Sequence, residues 1–370
     1  MGFFSKSKQS NGDIQDIFEE LLAEYFVVDH AKVKAWVSTN EKEVVIGFPF
    51  AVTSQFEVIL SWLQSEFTSR FPQQPLPNIQ LKTDIPVMQT AKPPLVNVKN
   101  IIAVASGKGG VGKSATTINL AYALQQEGAR VGILDADIYG PSVPIMLGNP
   151  KAHPVSEDSQ HMRPIEVNGL VANSIGYLVP AENATVWRGP MASRALQQLL
   201  NDTQWPVLDY LLVDMPPGTG DIQLTMSQQV PLTAAVIVTT PQDIALADAT
   251  KGIAMFEKVQ IPVLGLIENM SYYQCKKCGE REYVFATDGG QRLADRHNIP
   301  LIGTLPLDIK IREHADSGES LLLKESDSPL AESYRQAART LSQQLAFSLN
   351  VHPLASNVVR GEPISVVNKP

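Results

Sequence analysis

The residues Gly107-Lys108-Gly109-Gly110-Val111-Gly112-Lys113-Ser114 satisfy G-x-x-x-x-G-K-[ST], with an apolar run before them and helical spacing after. Glycines at this spacing let the backbone curl until its N–H groups point at phosphate oxygens, and a helix N-terminus adds partial positive charge. Lys113 would reach the terminal phosphates, and the Ser114 hydroxyl would ligate Mg²⁺. A ligand-free glycine loop needs neither the lysine nor the hydroxyl. The expectation is therefore ATP with Mg²⁺ at Gly107–Ser114, with Ala115 continuing the nucleotide-binding stretch.

Two more segments place carboxylates where apolar strands should end, the side of an open α/β sheet on which ligands sit. Ile133-Leu134-Asp135-Ala136-Asp137 offers two. Leu211-Leu212-Val213-Asp214 offers a third, followed by Met215-Pro216-Pro217-Gly218-Thr219-Gly220-Asp221, stiffened by prolines and freed by glycines. Singly, each aspartate could cap a helix or close a turn. Beside a phosphate loop they read as a site, with Ser114, Asp135 and Asp214 around Mg²⁺ and Asp137 orienting the attacking water.

The chain has two cysteines, Cys275 and Cys278, in one C-x-x-C. A disulfide framework is excluded by that count, and a metal or redox site comes first. A thioredoxin-like pair would open a helix, yet Gly279 follows directly. Zinc and iron–sulfur sites each want about four ligands, and the nearest histidine in sequence is His297. Two chains related by a two-fold axis would supply four thiolates from two pairs, and such dimers are the commonest oligomer. Two incidental cysteines remain the bland alternative.

These residues need a frame. Near-continuous apolar runs at Ile101–Ala105, Val131–Leu134, Tyr210–Val213, Ala234–Thr239, Val263–Ile267 and Leu301–Thr304 predict parallel strands covered on both faces. Helical spacing at Ser114–Gln126, Met191–Leu200, Asp243–Lys258 and Gly289–His297 alternates with them, which predicts an α/β, doubly wound sheet. A last helix is expected over Pro329–Leu349, with Leu330, Tyr334, Ala337, Leu341 and Leu345 as its core stripe. Ahead of this, residues 1–82 read as a small α+β domain: a helix at Ile14–Tyr25, a hairpin from Val33–Val37 and Val44–Phe48, a helix through Phe56 and Leu63, and a strand at Ile79–Leu81. Pro86, Pro93 and Pro94 break any period across 83–98, which suits a linker before a 99–349 ATPase domain. Residues 350–370 read as an extended tail.

Of the 370 residues 44% are hydrophobic and 18% charged, with a net charge of −8, so no electrostatic footprint for nucleic acid or an anionic membrane appears. No apolar stretch approaches the ~18–20 residues of a membrane span, and Met1–Lys6 has no signal-peptide pattern. The expected location is the cytoplasm.

Together, GKGGVGKS (Gly107–Ser114), ILDADIYGPS (Ile133–Ser142), VWRGPMAS (Val186–Ser193), DMPPGTGDIQLT (Asp214–Thr225), TTPQDIALAD (Thr239–Asp248) and ENMSYYQCKKCG (Glu268–Gly279) resemble the Mrp/ApbC iron–sulfur cluster carrier ATPases over Val98–Leu345. DMPPGTGD with a downstream C-x-x-C is specific to that subfamily. The resemblance implies a deviant Walker A ATPase in which Lys108 reaches across a homodimer to the partner's nucleotide. It also implies slow ATP hydrolysis, adenine contacts near Asn269 and Pro306, and a labile [4Fe–4S] cluster at the dimer interface that passes to apo iron–sulfur proteins. The small N-terminal domain resembles the iron–sulfur-assembly domain of many bacterial members. Two relatives of other function remain as alternatives. A nitrogenase-iron-protein-like electron donor uses cysteines far apart in sequence. A MinD/ParA-like positioning ATPase with a zinc-bridged dimer predicts a basic surface or terminal helix, and Ser356–Pro370 offers only Arg360 and Lys369.

Overall fold

Asp13 accepts the Gln15 N–H at 3.4 Å and opens α1 (Ile14–Phe26), whose Ile17, Phe18, Leu21 and Leu22 form one buried stripe. The computed structural model describes residues 13–40, 43–156, 158, 160–179 and 189–351, and the chain divides into two compact units, Met1–Asp84 and Ile85–Pro370. In the first, α1 is followed by α2 (His30–Val33), β1 (Val37–Asn40), β2 (Glu43–Phe48), α3 (Phe56–Arg70) and β3 (Asn78–Thr83). β1 pairs antiparallel with β2, and β2 pairs parallel with β3 across the α3 connection. Val44, Ile46 and Phe48 alternate inward from β2, and Phe18 stacks on Phe67 of α3 with ring centroids 5.3 Å apart. The strand expected at Val33–Val37 begins only at Val37. Asp29 accepts the Ala31 N–H at 2.8 Å and caps a helical turn that takes up Val33.

The second unit runs β4 (Val98–Ala105), α4 (Lys113–Gln126), β5 (Val131–Asp135), α5 (Val143–Met146), β6 (Ile165–Val167), β7 (Leu170–Ser174), α6 (Gly189–Asn201), β8 (Leu208–Asp214), α7 (Asp221–Gln229), β9 (Ala234–Thr239) and α8 (Asp243–Lys258). It continues with β10 (Val263–Glu268), the short strands β11 (Tyr273–Gln274) and β12 (Arg281–Glu282), α9 (Gly289–His297), β13 (Leu301–Thr304), α10 (Ile309–Ser317), α11 (Leu321–Lys324) and α12 (Pro329–Ser348). One sheet has the order β13-β10-β9-β4-β8-β5-β7-β6, with β6 antiparallel to β7 and the other pairings parallel. This is the doubly wound arrangement that the alternating pattern predicts. From β4 the chain steps over β8 to β5, whereas β9 lies on β4's other side. That reversal opens the ligand crevice beyond the carboxyl end of β4.

Residues 85–97 belong to the second unit's packing rather than to a free connector. Ile85, Val87 and Met88 are buried, and the Met88 N–H donates to Asn100 Oδ1 at 3.1 Å. The Asn100 amide in turn donates to the Pro86 carbonyl at 2.9 Å. At the other end, Ser328 accepts the Ala331 N–H at 3.1 Å and Pro329 starts α12, which buries Leu330, Tyr334, Ala337, Leu341 and Leu345. Arg339 of α12 reaches Glu127, at the end of α4, at 2.7 Å. Val186-Trp187-Arg188 of the VWRGPMAS motif and the tail from residue 352 lie outside the described residues.

Candidate functional site

Backbone demands explain the glycines of the loop between β4 and α4. Gly110 and Gly112 both have φ of +81°, the left-handed region that side chains rarely adopt. Gly107 is fixed by space instead: a Cβ there would stand 2.2 Å from the carbonyl carbon and oxygen of Asp248 in α8. Val111 is buried, Gly109 and Gly110 are exposed, and Lys108 is half-exposed. The Lys108 carbonyl accepts the Ser106 hydroxyl at 2.9 Å, and Ser106 O accepts the Gly218 N–H at 3.0 Å. The loop after β8 is thus tied to the start of the phosphate loop.

One carboxylate gathers the site. Asp214 at the end of β8 is fully buried, and Lys113 Nζ lies 2.6 Å from its Oδ1. The Ser114 hydroxyl donates to Oδ2 at 2.6 Å, and Thr117 to Oδ1 at 2.9 Å. Two hard oxygen donors, a hydroxyl and a carboxylate, side by side at a phosphate loop fit Mg²⁺, which prefers one or two carboxylates plus phosphate oxygens. Ser114 and Asp214 would hold the ion, and Mg²⁺ would neutralise phosphate charge. Thr117 was not singled out from sequence. Its position three residues after Ser114 puts it on the same helix face, and that spacing is the signal that would have found it.

Asp135 is placed differently from a free ligand. Its Oδ2 accepts the Ser174 hydroxyl at 2.9 Å and the Val143 N–H at 3.2 Å, and its Oδ1 accepts the Asp137 N–H at 3.1 Å. Both oxygens therefore hold the loop from Asp137 to Val143 in shape. Burial, then the nearby Asp214 charge, pushes its carboxyl up to about 7. Asp137 is half-buried beyond it. Burial raises its pKa, Lys113 pulls it down and Asp214 pushes it up again. It stands close enough to feel both charged groups of the phosphate site. Ser174 ends β7, a strand whose buried polar Asn173 and Ser174 interrupt the apolar run that would have marked it in the sequence.

The cysteines sit apart, on a turn between β11 and β12. The Cys275 N–H donates to the Glu280 carbonyl at 2.9 Å, and the Gly279 N–H returns to the Cys275 carbonyl at 2.9 Å. Gly279 adopts φ of +75° to close this turn. Cys278 is exposed and Cys275 half-exposed. The N–H groups of Cys278 and then Lys277 point at the Cys275 sulfur, holding its thiol below the usual range and favouring the thiolate that metals bind. No helix opens at the pair, unlike the thioredoxin arrangement. Among the described residues no group of three or more histidine, cysteine or acidic side chains could hold a metal ion, so one chain supplies two thiolates only.

Asn269 connects the two regions. Its amide donates to the Val111 carbonyl at 2.8 Å inside the phosphate loop, and its backbone N–H donates to Thr239 O at 2.8 Å. A Cβ on Gly112 would meet that same amide at 2.3 Å, so Asn269 braces the loop closely. Neighbouring Glu268 accepts the Ser271 hydroxyl at 2.6 Å and the Gly290 N–H. Pro306 is buried just beyond β13, and Ala115 lies half-buried in the first turn of α4.

A glycine loop between a central parallel strand and a helix, with a carboxylate on the next strand meeting its lysine and serine, defines a P-loop NTPase. The family model described as ParA, NUBPL iron-transfer P-loop NTPase, matches residues 97–342. The chain belongs to this family. It is 56% identical over 262 residues to an iron–sulfur cluster carrier protein of Haemophilus influenzae, covering 71% of each chain. It is 51% identical over 321 residues to an iron–sulfur cluster carrier protein of Escherichia coli K12, covering 86% of each. Among solved structures, a nucleotide-binding protein from Archaeoglobus fulgidus in complex with ADP is 37% identical with a TM-score of 0.56, over 64% of this chain and 91% of that one. No described helix is long and apolar enough to cross a membrane.

Proposed function

We propose that this chain is an ATP-hydrolysing iron–sulfur cluster carrier, with [4Fe–4S] as its cargo and apo iron–sulfur proteins as its acceptors. The observation that carries the reading is one exposed turn bearing two thiols, in a chain whose phosphate loop is braced six residues earlier by Asn269. The names of the two relatives above support the cargo. A cluster that needs about four thiolates finds two per chain, so a homodimer would complete it with both Cys275/Cys278 pairs.

At the other site, loop N–H groups would cradle the ATP phosphates while Lys113 places its charge on the transferring group. Ser114 and Asp214 would hold Mg²⁺, and Asp137, positioned through Asp135, would orient water. Lys108, half-exposed in the loop, would reach the partner's nucleotide. The cytoplasm, where thiols stay reduced, suits an exposed C-x-x-C. The test is cluster transfer from anaerobically reconstituted protein to an apo-acceptor, with ATP turnover assayed alongside. Recovery of acceptor activity is expected. Firm retention of the cluster with reversible oxidation and no transfer would favour the electron-donor alternative.

A further inference from the structure

The chain's two thiols share one closed turn. The Gly279 N–H donates to the Cys275 carbonyl at 2.9 Å, an i→i+4 bond that sets Cys278 beside Cys275. Residues three apart in such a turn have Cβ atoms about 5–6 Å from each other. A disulfide wants about 3.5–4.5 Å, so a shift of about 1–2 Å joins the sulfurs. The turn is free to make it. Lys276, Lys277, Cys278, Gly279 and Glu280 are all exposed, and Gly279 at φ of +75° is a natural pivot.

We propose that Cys275 and Cys278, when not bonded to cargo, close into a disulfide within one chain under hydrogen peroxide, and that this bond gates cluster loading. The disulfide chemistry stands by itself; the gating rests on the carrier reading above. In the first step the Cys275 thiolate attacks a peroxide oxygen, the O–O bond breaks, and the departing hydroxide takes a proton to become water. In the second, the Cys278 sulfur attacks the Cys275 sulfenic acid, the S–O bond breaks, and the oxygen leaves as water with the Cys278 proton. The two thiols give up two electrons and the peroxide takes two.

Cys275 goes first because the N–H groups of Cys278 and Lys277 point at its sulfur and favour the thiolate. Cys278 then resolves it. A thiol in the same turn has an effective concentration far above that of another chain, and it captures a sulfenic acid before a second peroxide arrives. The disulfide offers iron no thiolate, so the turn stays closed to cargo until a dithiol reduces it. Transient bonds of this kind are the ones a reducing compartment allows. The phosphate loop contains no cysteine and keeps its own bonds throughout.

The test uses full-length, cluster-free protein, reduced, freed of reductant and treated anaerobically with one equivalent of hydrogen peroxide. Titratable thiols should fall from two per chain to none, with the intact mass lower by two hydrogens and the chains still separate on a non-reducing gel. A thiol-free cluster donor should then load no iron, loading should return after dithiothreitol, and ATP hydrolysis should match the reduced protein. Cys278→Ala should accumulate a dimedone-reactive sulfenic acid at Cys275, whereas Cys275→Ala should leave Cys278 unlabelled. A bond between chains, sulfinic acid at Cys275 beside a free Cys278, or undiminished loading of the oxidised protein would each overturn the proposal. Labelling of Cys278 in Cys275→Ala with none of Cys275 in Cys278→Ala would overturn the order of attack. Reduced wild type that loads no cluster would defeat the carrier reading instead, and the disulfide would still be read from thiols and mass.

Discussion

The phosphate loop and the cysteine turn follow the carboxyl ends of two strands of one sheet, β4 and β10, yet they are built on opposite terms. At the phosphate loop, Asp214 is buried and takes three side-chain donors, Gly107 lies against the backbone of α8, and Asn269 ties down Val111. The cysteine turn is held by the Cys275–Glu280 and Gly279–Cys275 backbone bonds and by Gln274 Nε2 donating to the Gly279 carbonyl at 3.1 Å, with Cys278 exposed. A site that must stabilise charge during reaction gains from preorganised, water-excluded groups. A site that must surrender its cargo gains from exposure and from being only half complete in one chain.

The comparison breaks most visibly at its charged centre. Lys113→Ala should lower ATP turnover by at least ~10²-fold, as loss of a transition-state donor does, and leave reconstituted iron unchanged. Phosphate release and iron content read the two effects separately. Cys275→Ala and Cys278→Ala should do the reverse, losing the visible absorbance of the cluster while ATP hydrolysis persists. If either cysteine variant stopped hydrolysis in metal-free protein, the two regions would not be separable. Gly107→Ala should cost ~1–3 kcal/mol of stability through overpacking, because its Cβ would stand 2.2 Å from the Asp248 carbonyl. Its melting temperature should fall, and ATP affinity with it. The smallest effect belongs to Asn269→Ala, which removes one hydrogen bond from Val111 at a cost of ~1 kcal/mol. ATP affinity should weaken and iron loading should hold, because the cysteine turn closes on its own bonds. Equal loss of both would show that the brace carries the turn as well.

Most of the sheet was legible because parallel strands buried on both faces leave continuous apolar runs, and all six expected strands are present. β6 and β7 left no such run: β7 carries Asn173 and Ser174, both buried and hydrogen-bonded rather than apolar. Within the site, the phosphate loop was readable because its chemistry fixes residue type at each position. Asp135 was seen but its bonds were not. They depend on Ser174 and on the Val143 N–H, which the fold brings in from elsewhere in the chain. The helical turn at His30–Val33 was missed because Asp29 as a cap outweighs the β preference of Val33.

The central claim is that the cargo site is complete only in two chains. Native mass spectrometry of anaerobically reconstituted full-length protein tests it directly, by weighing chains, iron and sulfide in one ion. The account predicts a dimer carrying one cluster of about four irons, and cluster-free protein for Cys275→Ala and Cys278→Ala. A full cluster on a single chain would contradict it.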